Sequence, residues 1–173
     1  YSIIFRSLFA NDGLVNYVLV NLGILDKPYN FLTQPFAAKM VIILALLWRW
    51  TGYNMVFFLS GLQNIEYSVY EAAKIDGASA IQTFFKITVP LLKPTILLTA
   101  IMSTNGTLQL FDESINLTDG GPANASISMS HYIYNLCFKY VPNFGYAAAM
   151  SFFILLLVAV LAFIQMRVGD KRD

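Results

Sequence analysis

Polar side chains recur at a fixed interval inside an apolar part of the chain. Thr95, Thr99, Ser103 and Thr107 are spaced four residues apart, so they follow one face of a helix that drifts only slowly. Hydroxyl groups in this pattern have two interpretations. They can exchange hydrogen bonds with a hydroxyl-rich ligand without fixing a charge, or they can mediate packing between helices in a membrane. The stripe is flanked by Asn105, Gly106 and Gln109.

Arg49 interrupts a second apolar run, which otherwise extends from Met40 to Gln63 without a charge. A charged side chain is costly inside a bilayer and marks function by default. Arg49 can face a cavity, pair with a carboxylate such as Asp112 or Glu113, or extend outward to the membrane surface. The sequence leaves these alternatives open.

Composition excludes several other chemistries. The chain has one cysteine, Cys137, and one histidine, His131, which argues against an intrachain disulfide, a zinc site or a Ser/His triad, and no other metal site is predicted. We expect both residues to serve in packing. With 57% hydrophobic and 12% charged residues and a net charge of +1, the chain is unlike a nucleic-acid binder, a secreted disulfide scaffold or a disordered tail.

The apolar runs predict an all-α protein of polytopic transmembrane helices. The run from Ala147 to Gln165 has no charge, and up to Ile164 Ser151 is its one polar residue. Because about 20 apolar residues cross a bilayer, we expect spans at 39–61, 91–111 and 146–166. A soluble three-helix bundle would need a polar stripe on each helix. Residues 1–10 resemble the end of a further helix, so we expect the C-terminal part of a longer chain.

The connections differ in charge. The segment 62–90 extended to Lys93 and the tail 167–173 hold six basic residues, whereas the segment 11–38 extended to Lys39 and the segment 112–145 hold three. Basic residues concentrate in cytoplasmic loops. The pattern therefore predicts that 62–90 and the tail are cytoplasmic and that 11–38 and 112–145 are extracytoplasmic.

The segment 65–94 carries several helix-end signals. Gly77 suits a left-handed C-terminal cap, Ser79 and Gln82 have the spacing of a capping box, and Pro90 and Pro94 break or kink the chain. These signals predict a short helix, a glycine turn and a second short helix. From the residues alone, an ordinary cytoplasmic loop is an equally good interpretation.

A resemblance favours a specific function for this segment. Glu71-Ala72-Ala73, Asp76-Gly77-Ala78 and Ile87-Thr88-Val89-Pro90 resemble the EAA loop of permease subunits of binding-protein-dependent ABC importers, with Val89 in place of the usual Leu. The blocks 50–55, 58–63, 117–122, 132–134 and 144–149 extend the resemblance to nearly the whole chain. The chain is similar to the F-type subunits of the maltose, multiple-sugar and glycerol-phosphate permeases.

The resemblance implies a MetI-like fold with three full spans plus the end of a fourth, in a multi-pass subunit of the bacterial cell membrane. It also implies a second permease subunit, two ATPase subunits, an extracytoplasmic solute-binding protein and a carbohydrate substrate. The sequence has no phosphate-binding Gly-x-x-x-x-Gly-Lys-Ser/Thr motif, so no cofactor is expected and ATP would be bound by the partner subunits. The alternative is a channel-like pore or a membrane enzyme that is not driven by ATP.

Two sets of site residues follow from the resemblance. The set expected to couple to the ATPase is Glu71, Ala72, Ala73, Asp76, Gly77 and Ala78. The set expected to line the substrate path is Thr51, Gly52, Met55, Ser103, Gly106, Thr107 and Leu110. Of the second set, only Gly52 and Ser103 match the maltose permease in identity, so the resemblance does not name the sugar.

Overall fold

A computed structural model describes residues 1–169, and every regular element in that range is a helix. This confirms the all-α fold class. Lys171 and Arg172 of the expected tail lie outside the described residues. The α-helices are α1 (Ser2–Leu8), α2 (Leu14–Asn21), α3 (Pro35–Gln63), α4 (Tyr67–Ile75), α5 (Ala80–Thr83), α6 (Val89–Leu91), α7 (Lys93–Leu108), α8 (Asp112–Thr118), α9 (Met129–Tyr134) and α10 (Phe144–Gly169), and the π-helical segments are π1 (Phe84–Thr88) and π2 (Asn135–Lys139).

Two of these helices are long and apolar enough to cross a membrane by themselves. They are α3, with a mean hydropathy of 1.4 in its most apolar window, and α10, with 2.8. Both extend a few residues beyond the predicted spans 39–61 and 146–166 at each end. Charge-free runs locate the middle of a membrane helix well, because hydropathy is lost gradually towards its ends.

The expected span at 91–111 stays a prediction, and the helix found there is shorter than the apolar run. Helix α7 has 16 residues and is therefore about 24 Å long, short of the roughly 30 Å of a hydrocarbon core. The length is reached only when 80–91 is added, and that pair is bent by 65°. Pro90 and Pro94, on either side of the break at Leu92, lack the N–H groups that a continuous helix needs, and π1 is separated from the break only by the short α6.

One compact unit comprises residues 1–49 and 106–157. Its core contains Phe5 of α1, Val41, Ile42 and Ala45 of α3, and Leu117 of α8. The Phe5 ring of this core also contacts an aromatic side chain at the surface, because its centre lies 5.8 Å from that of the exposed Trp48. A guanidinium N–H of Arg6 also donates to the carbonyl of Asn116, at 3.3 Å.

The second unit comprises residues 50–105 together with the described residues from 158 onward. Small and polar residues set its helix contacts. A Cβ atom on Gly61 would lie 2.8 Å from Leu92 and 2.9 Å from Thr95, so α3 and the start of α7 touch where a side chain is absent. The amide of Gln165 in α10 donates to the hydroxyl of Thr104 in α7 at 2.8 Å. Contacts of both kinds are typical of helices packed in membranes.

Candidate functional site

Helix α4 ends at a left-handed glycine, as its sequence predicts. Gly77 has a φ of +75°, and its N–H donates to Lys74 O at 3.2 Å. The next N–H, that of Ala78, donates to Ala73 O at 3.0 Å. These two bonds form a Schellman motif, which satisfies carbonyl groups that the end of a helix otherwise leaves free. The turn that follows α4 therefore has one defined geometry.

The next helix begins at the predicted capping box. Gln82 N–H donates to Ser79 Oγ at 3.3 Å, and Ser79 N–H donates to Gln82 Oε1 at 2.9 Å. Two otherwise free N–H groups of the first turn are satisfied in this way. In the connection 64–92, local hydrogen bonds therefore define where α4 ends and where α5 begins, and an ordered turn joins the two helices.

The residues of the expected coupling set differ in accessibility. Ala73 is buried among residues of this chain, and Ala78 is half-buried. The remaining members are exposed on α4 and its C-terminal turn: Glu71, Ala72, Asp76 and Gly77. A partner surface could therefore contact these four residues directly, whereas Ala73 packs α4 against the rest of this chain.

The polar stripe on α7 is divided by its hydrogen bonds. Buried Thr99 donates to carbonyl oxygens of its own helix, Thr95 O at 2.9 Å and Ile96 O at 3.0 Å. Ser103 exchanges hydrogen bonds with the side-chain amide of Asn54 on α3, at 3.3 and 3.4 Å. The Thr99 bonds stay within α7, whereas the Ser103–Asn54 pair is a contact between helices of the kind that hydroxyl groups make in membranes. Thr107, nearer the end of α7, is exposed.

The expected substrate-path residues lie in both units. In the unit containing residues 50–105, Thr51, Gly52 and Met55 are exposed on α3, and a Cβ atom on Gly52 would meet nothing within 4 Å. In the other unit, Gly106 is half-buried and Leu110 packs against the core cluster around Phe5.

Arg49 forms an ion pair with a buried carboxylate. Its Nη1 lies 2.9 Å from Oε1 of Glu113, whose side chain is 1% exposed, whereas the Arg49 side chain is 40% exposed. The same nitrogen donates to the Tyr1 hydroxyl at 3.2 Å, and the guanidinium carbon lies 5.5 Å from the centre of the Tyr1 ring. Of the alternatives for Arg49, the structure selects pairing with a carboxylate, and it selects Glu113 rather than the exposed Asp112.

His131 lies at the centre of a buried polar network. Ser114 Oγ is 2.8 Å from His131 Nδ1, accepts from Ser128 N–H at 3.1 Å and donates to Ser126 O at 2.8 Å. Because the serine has a single hydrogen to give, His131 Nδ1–H is the donor in this pair. The other ring nitrogen, Nε2, lies 3.8 Å from Oδ1 of Asp119. Both Ser114 and His131 are fully buried, so the cluster is part of the packed interior of this unit.

Burial also shifts two pKa values in residues 112–143. It raises the pKa of the Glu113 carboxyl, an effect that a hydrogen bond to its own backbone partly offsets and that the charge of Arg49 opposes. It lowers the pKa of His131, with a raising contribution from Asp119 and a lowering one from Lys139. Within residues 1–169 no group of three metal-ligating side chains is found.

Sequence reasoning missed three residues that form side-chain hydrogen bonds with residues far along the chain. Asn54 pairs with Ser103, Tyr1 accepts from Arg49, and Thr88 pairs with Tyr70. Asn54 had a signal, because an amide inside an apolar run needs a partner. Tyr1 and Thr88 are ordinary in their local sequence, and only the fold brings their partners to them.

Comparisons with known proteins agree with the resemblance. Residues 3–172 match the family described as binding-protein-dependent transport system inner membrane component. The lactose transport system permease protein LacF of Rhizobium radiobacter is 55% identical over 99% of this chain and 58% of its own length. The trehalose/maltose transport system permease protein MalF of Thermococcus litoralis is 37% identical over 92% of this chain and 53% of its own length. The chain thus spans a little over half the length of these relatives.

A solved structure shares the fold. It is the crystal structure of a bacterial ABC transporter involved in the import of the acidic polysaccharide alginate. The match has a TM-score of 0.85 at 24% identity and covers 99% of this chain and 60% of that one. The relatives bear the names of transport permeases, and the family match covers almost every residue. The chain belongs to the binding-protein-dependent transport system inner membrane component family.

Proposed function

We propose that this chain is part of the permease subunit of an ABC importer that carries a sugar or oligosaccharide across the bacterial cell membrane. A separate ATPase would drive the transport by docking on α4. Family membership supports the transport role, and the names of LacF and MalF support the substrate class. A second permease subunit, two ATPase subunits and an extracytoplasmic solute-binding protein complete the proposed assembly.

The observation that carries this proposal is the exposed face of α4. Between α3 and the bent pair 80–108, the chain presents a short helix whose C-terminal turn is fixed by the Schellman motif at Gly77. Ile75 on this helix is 85% exposed, and the acidic Glu71 and Asp76 lie beside it. ATP hydrolysis in another subunit can move a permease only through a contact that transmits force. A rigid helix with an exposed apolar side chain and two carboxylates could make that contact in a basic-rimmed groove.

Gly77→Val tests the coupling role. A side chain at a φ of +75° costs about 1–2 kcal/mol locally, and a branched one also projects into the partner's groove. We expect the ATPase to detach, or its hydrolysis to continue without sugar uptake, while the permease still inserts. The measurement is sugar uptake and sugar-stimulated ATP hydrolysis of the full-length permease, reconstituted with its partners.

Gly23→Val is the matched control. Gly23 also has a left-handed φ, of +69°, and a Cβ there meets nothing within 4 Å. The two variants therefore carry similar backbone strain, and Gly23→Val should leave the ATPase attached. Wild-type uptake and ATP hydrolysis in Gly77→Val would refute the coupling role. Sugar flux that persists without nucleotide would indicate a channel-like protein.

The substrate path is proposed for the exposed end of the stripe. Thr107 is exposed, whereas Thr99 is buried and bonded to its own helix. Thr107→Leu should weaken sugar binding by about 5- to 150-fold, because an unpaired polar group costs roughly 1–3 kcal/mol. Thr99→Val is the control and should leave selectivity among sugars unchanged. Loss of subunit assembly in Thr107→Leu without a change of selectivity would support the packing interpretation.

The charge pattern gives the proposed orientation, with 62–90 and the tail 167–173 in the cytoplasm. With Lys93 included, these segments hold six basic residues, against three at Lys27, Lys39 and Lys139 on the other side, and this asymmetry supports the orientation. A cysteine introduced by Asn124→Cys in a Cys137→Ser background should react with a membrane-impermeant reagent from outside. One introduced by Ala72→Cys should react only after the membrane is opened. The reverse result would place α4 away from ATP and exclude coupling.

A further inference from the structure

A side-chain hydrogen bond links α4 to the chain that leads into α7. The Tyr70 hydroxyl lies 3.3 Å from Oγ1 of Thr88, 18 residues along the chain. Thr88 is buried and is the last residue of π1, one helical turn before Leu92, where the pair 80–91 and 93–108 is bent. The bond therefore reaches from the proposed docking helix to the arm of the pair that leads into the bend.

The direction of this bond follows from the other contact of Thr88. Thr88 Oγ1 donates to Thr83 O at 3.4 Å, and a hydroxyl has one hydrogen. The Tyr70 phenol is accordingly the donor to Thr88. Tyr70 shares the inner face of α4 with buried Ala73, three residues on, while Tyr67 and Ile75 are exposed.

The bend is in turn packed against α3. Leu92 N–H donates to Thr88 O at 2.9 Å, and the buried Leu92 side chain lies against Gly61 with no room for a Cβ atom. Thr88 thus belongs to a well-packed junction of α3 with the start of α7. Because α4 follows α3 through residues 64–66 and enters α5 through the Gly77 turn, backbone connections hold its ends. The Tyr70 hydrogen bond fixes its rotation about its own axis.

We propose that Tyr70 is a positioning residue that transmits the displacement of α4 to the bend of the pair 80–108. This inference rests on the proposed function, since it assumes that an ATPase moves α4. With the bond in place, α4 and the bend move together. Without it, α4 can rotate about its own axis when the ATPase moves, while the bend stays in place. Part of the displacement that ATP hydrolysis produces is then not transmitted to the bend.

Tyr70→Phe tests this in the full-length permease with its partner permease, ATPase subunits and binding protein. The ring and its packing remain and the hydroxyl is removed. We expect the ATPase to stay attached and ATP hydrolysis to continue, while the sugar transported per ATP falls by up to about tenfold, the factor that one hydrogen bond of ordinary strength supports. Tyr17→Phe, at an exposed tyrosine outside 64–92, is the matched control and should change nothing.

A double-mutant cycle separates this role from general packing. Thr88→Val removes the acceptor at nearly constant volume, and we expect it to lower the transport ratio as Tyr70→Phe does. The double variant should transport as much sugar per ATP as either single variant. Thr88→Ser, which keeps the hydroxyl group, should have the wild-type ratio of sugar to ATP. Additive losses, or a wild-type ratio in Tyr70→Phe, would overturn the inference. Detachment of the ATPase in Tyr70→Phe would also overturn it, because Tyr70 would then be a docking residue.

The two proposals fail separately. If Gly77→Val transports sugar normally, coupling through α4 is refuted and the Tyr70 role with it. If Gly77→Val uncouples transport while Tyr70→Phe keeps its full ratio of sugar to ATP, only the positioning role is refuted.

Discussion

The connections 64–92 and 112–143 each join two apolar helices, yet they stabilise themselves in different ways. In 112–143, Glu113, Ser114 and His131 are almost completely buried, and hydrogen bonds or an ion pair link them to one another or to distant helices. In 64–92, the charged and many large apolar side chains point outward. Tyr67, Ile75 and Ile81 are each more than 70% exposed.

The difference indicates which connection is complete within the chain. A buried polar network such as that of 112–143 is stable only when its members have partners, and here the chain supplies most of them itself. The 64–92 connection instead holds its backbone by local caps and leaves large apolar side chains exposed on both of its short helices. Exposed apolar side chains on an ordered helix are typical of a surface that a partner covers.

The largest expected loss of stability comes from removing Arg49, the cation that pairs with Glu113. Arg49→Met would strand a carboxylate that is 1% exposed. Removing one member of a buried pair costs about 3–5 kcal/mol, and since Arg49 is partly solvated we expect about 2–4 kcal/mol here. The measurement is the melting temperature of the detergent-solubilised permease. Glu113→Gln in the Arg49→Met background should recover part of the loss. An unchanged melting temperature in Arg49→Met would mean that the 112–143 connection does not depend on this pair.

Acidification should loosen 112–143 and leave 64–92 unchanged. Burial lowers the pKa of His131, so the folded protein binds its proton less readily than the unfolded chain, whose histidine titrates near pH 6.5. The stabilising contribution is complete above about pH 6.5 and is lost as the pH falls through the lowered pKa. Two groups reduce this loss of stability. Asp119, 3.8 Å from Nε2 and paired with Lys139 at 3.1 Å, raises the pKa of His131, and Glu113, whose pKa burial raises, contributes with the opposite sign. Limited proteolysis at pH 7.5 and pH 5 would measure it in each connection.

His131→Gln is the control for this pH dependence. The chain has a single histidine, so the variant should lose the loosening of 112–143 at pH 5 while being less stable at pH 7.5. Any pH dependence that remains would come from Glu113, whose raised pKa acts in the opposite direction. Equal resistance of 112–143 to proteolysis at both pH values in the wild type would contradict the prediction that protonation of buried His131 destabilises this connection.

The smallest expected effect on stability is on α4. Ile75→Ser replaces a side chain that is 85% exposed, and exposed substitutions usually change the free energy of unfolding by less than about 0.5 kcal/mol. We expect an unchanged melting temperature together with weaker retention of the ATPase subunits during purification. Loss of more than about 1 kcal/mol would show that Ile75 packs within the permease, which would remove the contrast between the two connections.

Local sequence predicted the helix ends of 64–92 well. The Gly77 turn and the Ser79 box each depend on contacts within five residues, and such contacts are encoded by residue type and spacing. The apolar run at 91–111 does not show by hydropathy that π1, Pro90 and Pro94 interrupt the helix, so the bend before α7 became visible only in the structure.

The candidate site divides in the same way. Sequence reasoning singled out Arg49 as a charge that needs a partner and named both neighbouring carboxylates as candidates. Successive residues of a helix point about 100° apart, so only one of Asp112 and Glu113 can face α3, and no local pattern says which. The stripe on α7 was likewise visible, but its division into packing hydroxyls and an exposed Thr107 depends on what lies opposite each residue.

By itself, the sequence determined the all-α class, the positions of the apolar helices and the caps that separate α4 from α5, because burial in lipid and local hydrogen bonding act on short stretches of chain. Only the tertiary structure decided that Arg49 pairs with Glu113, that Ser103 meets Asn54 and that Tyr70 reaches Thr88. Each of these contacts joins residues 18 or more positions apart. Their formation depends on the rotation and crossing of whole helices, which packing across many residues sets together.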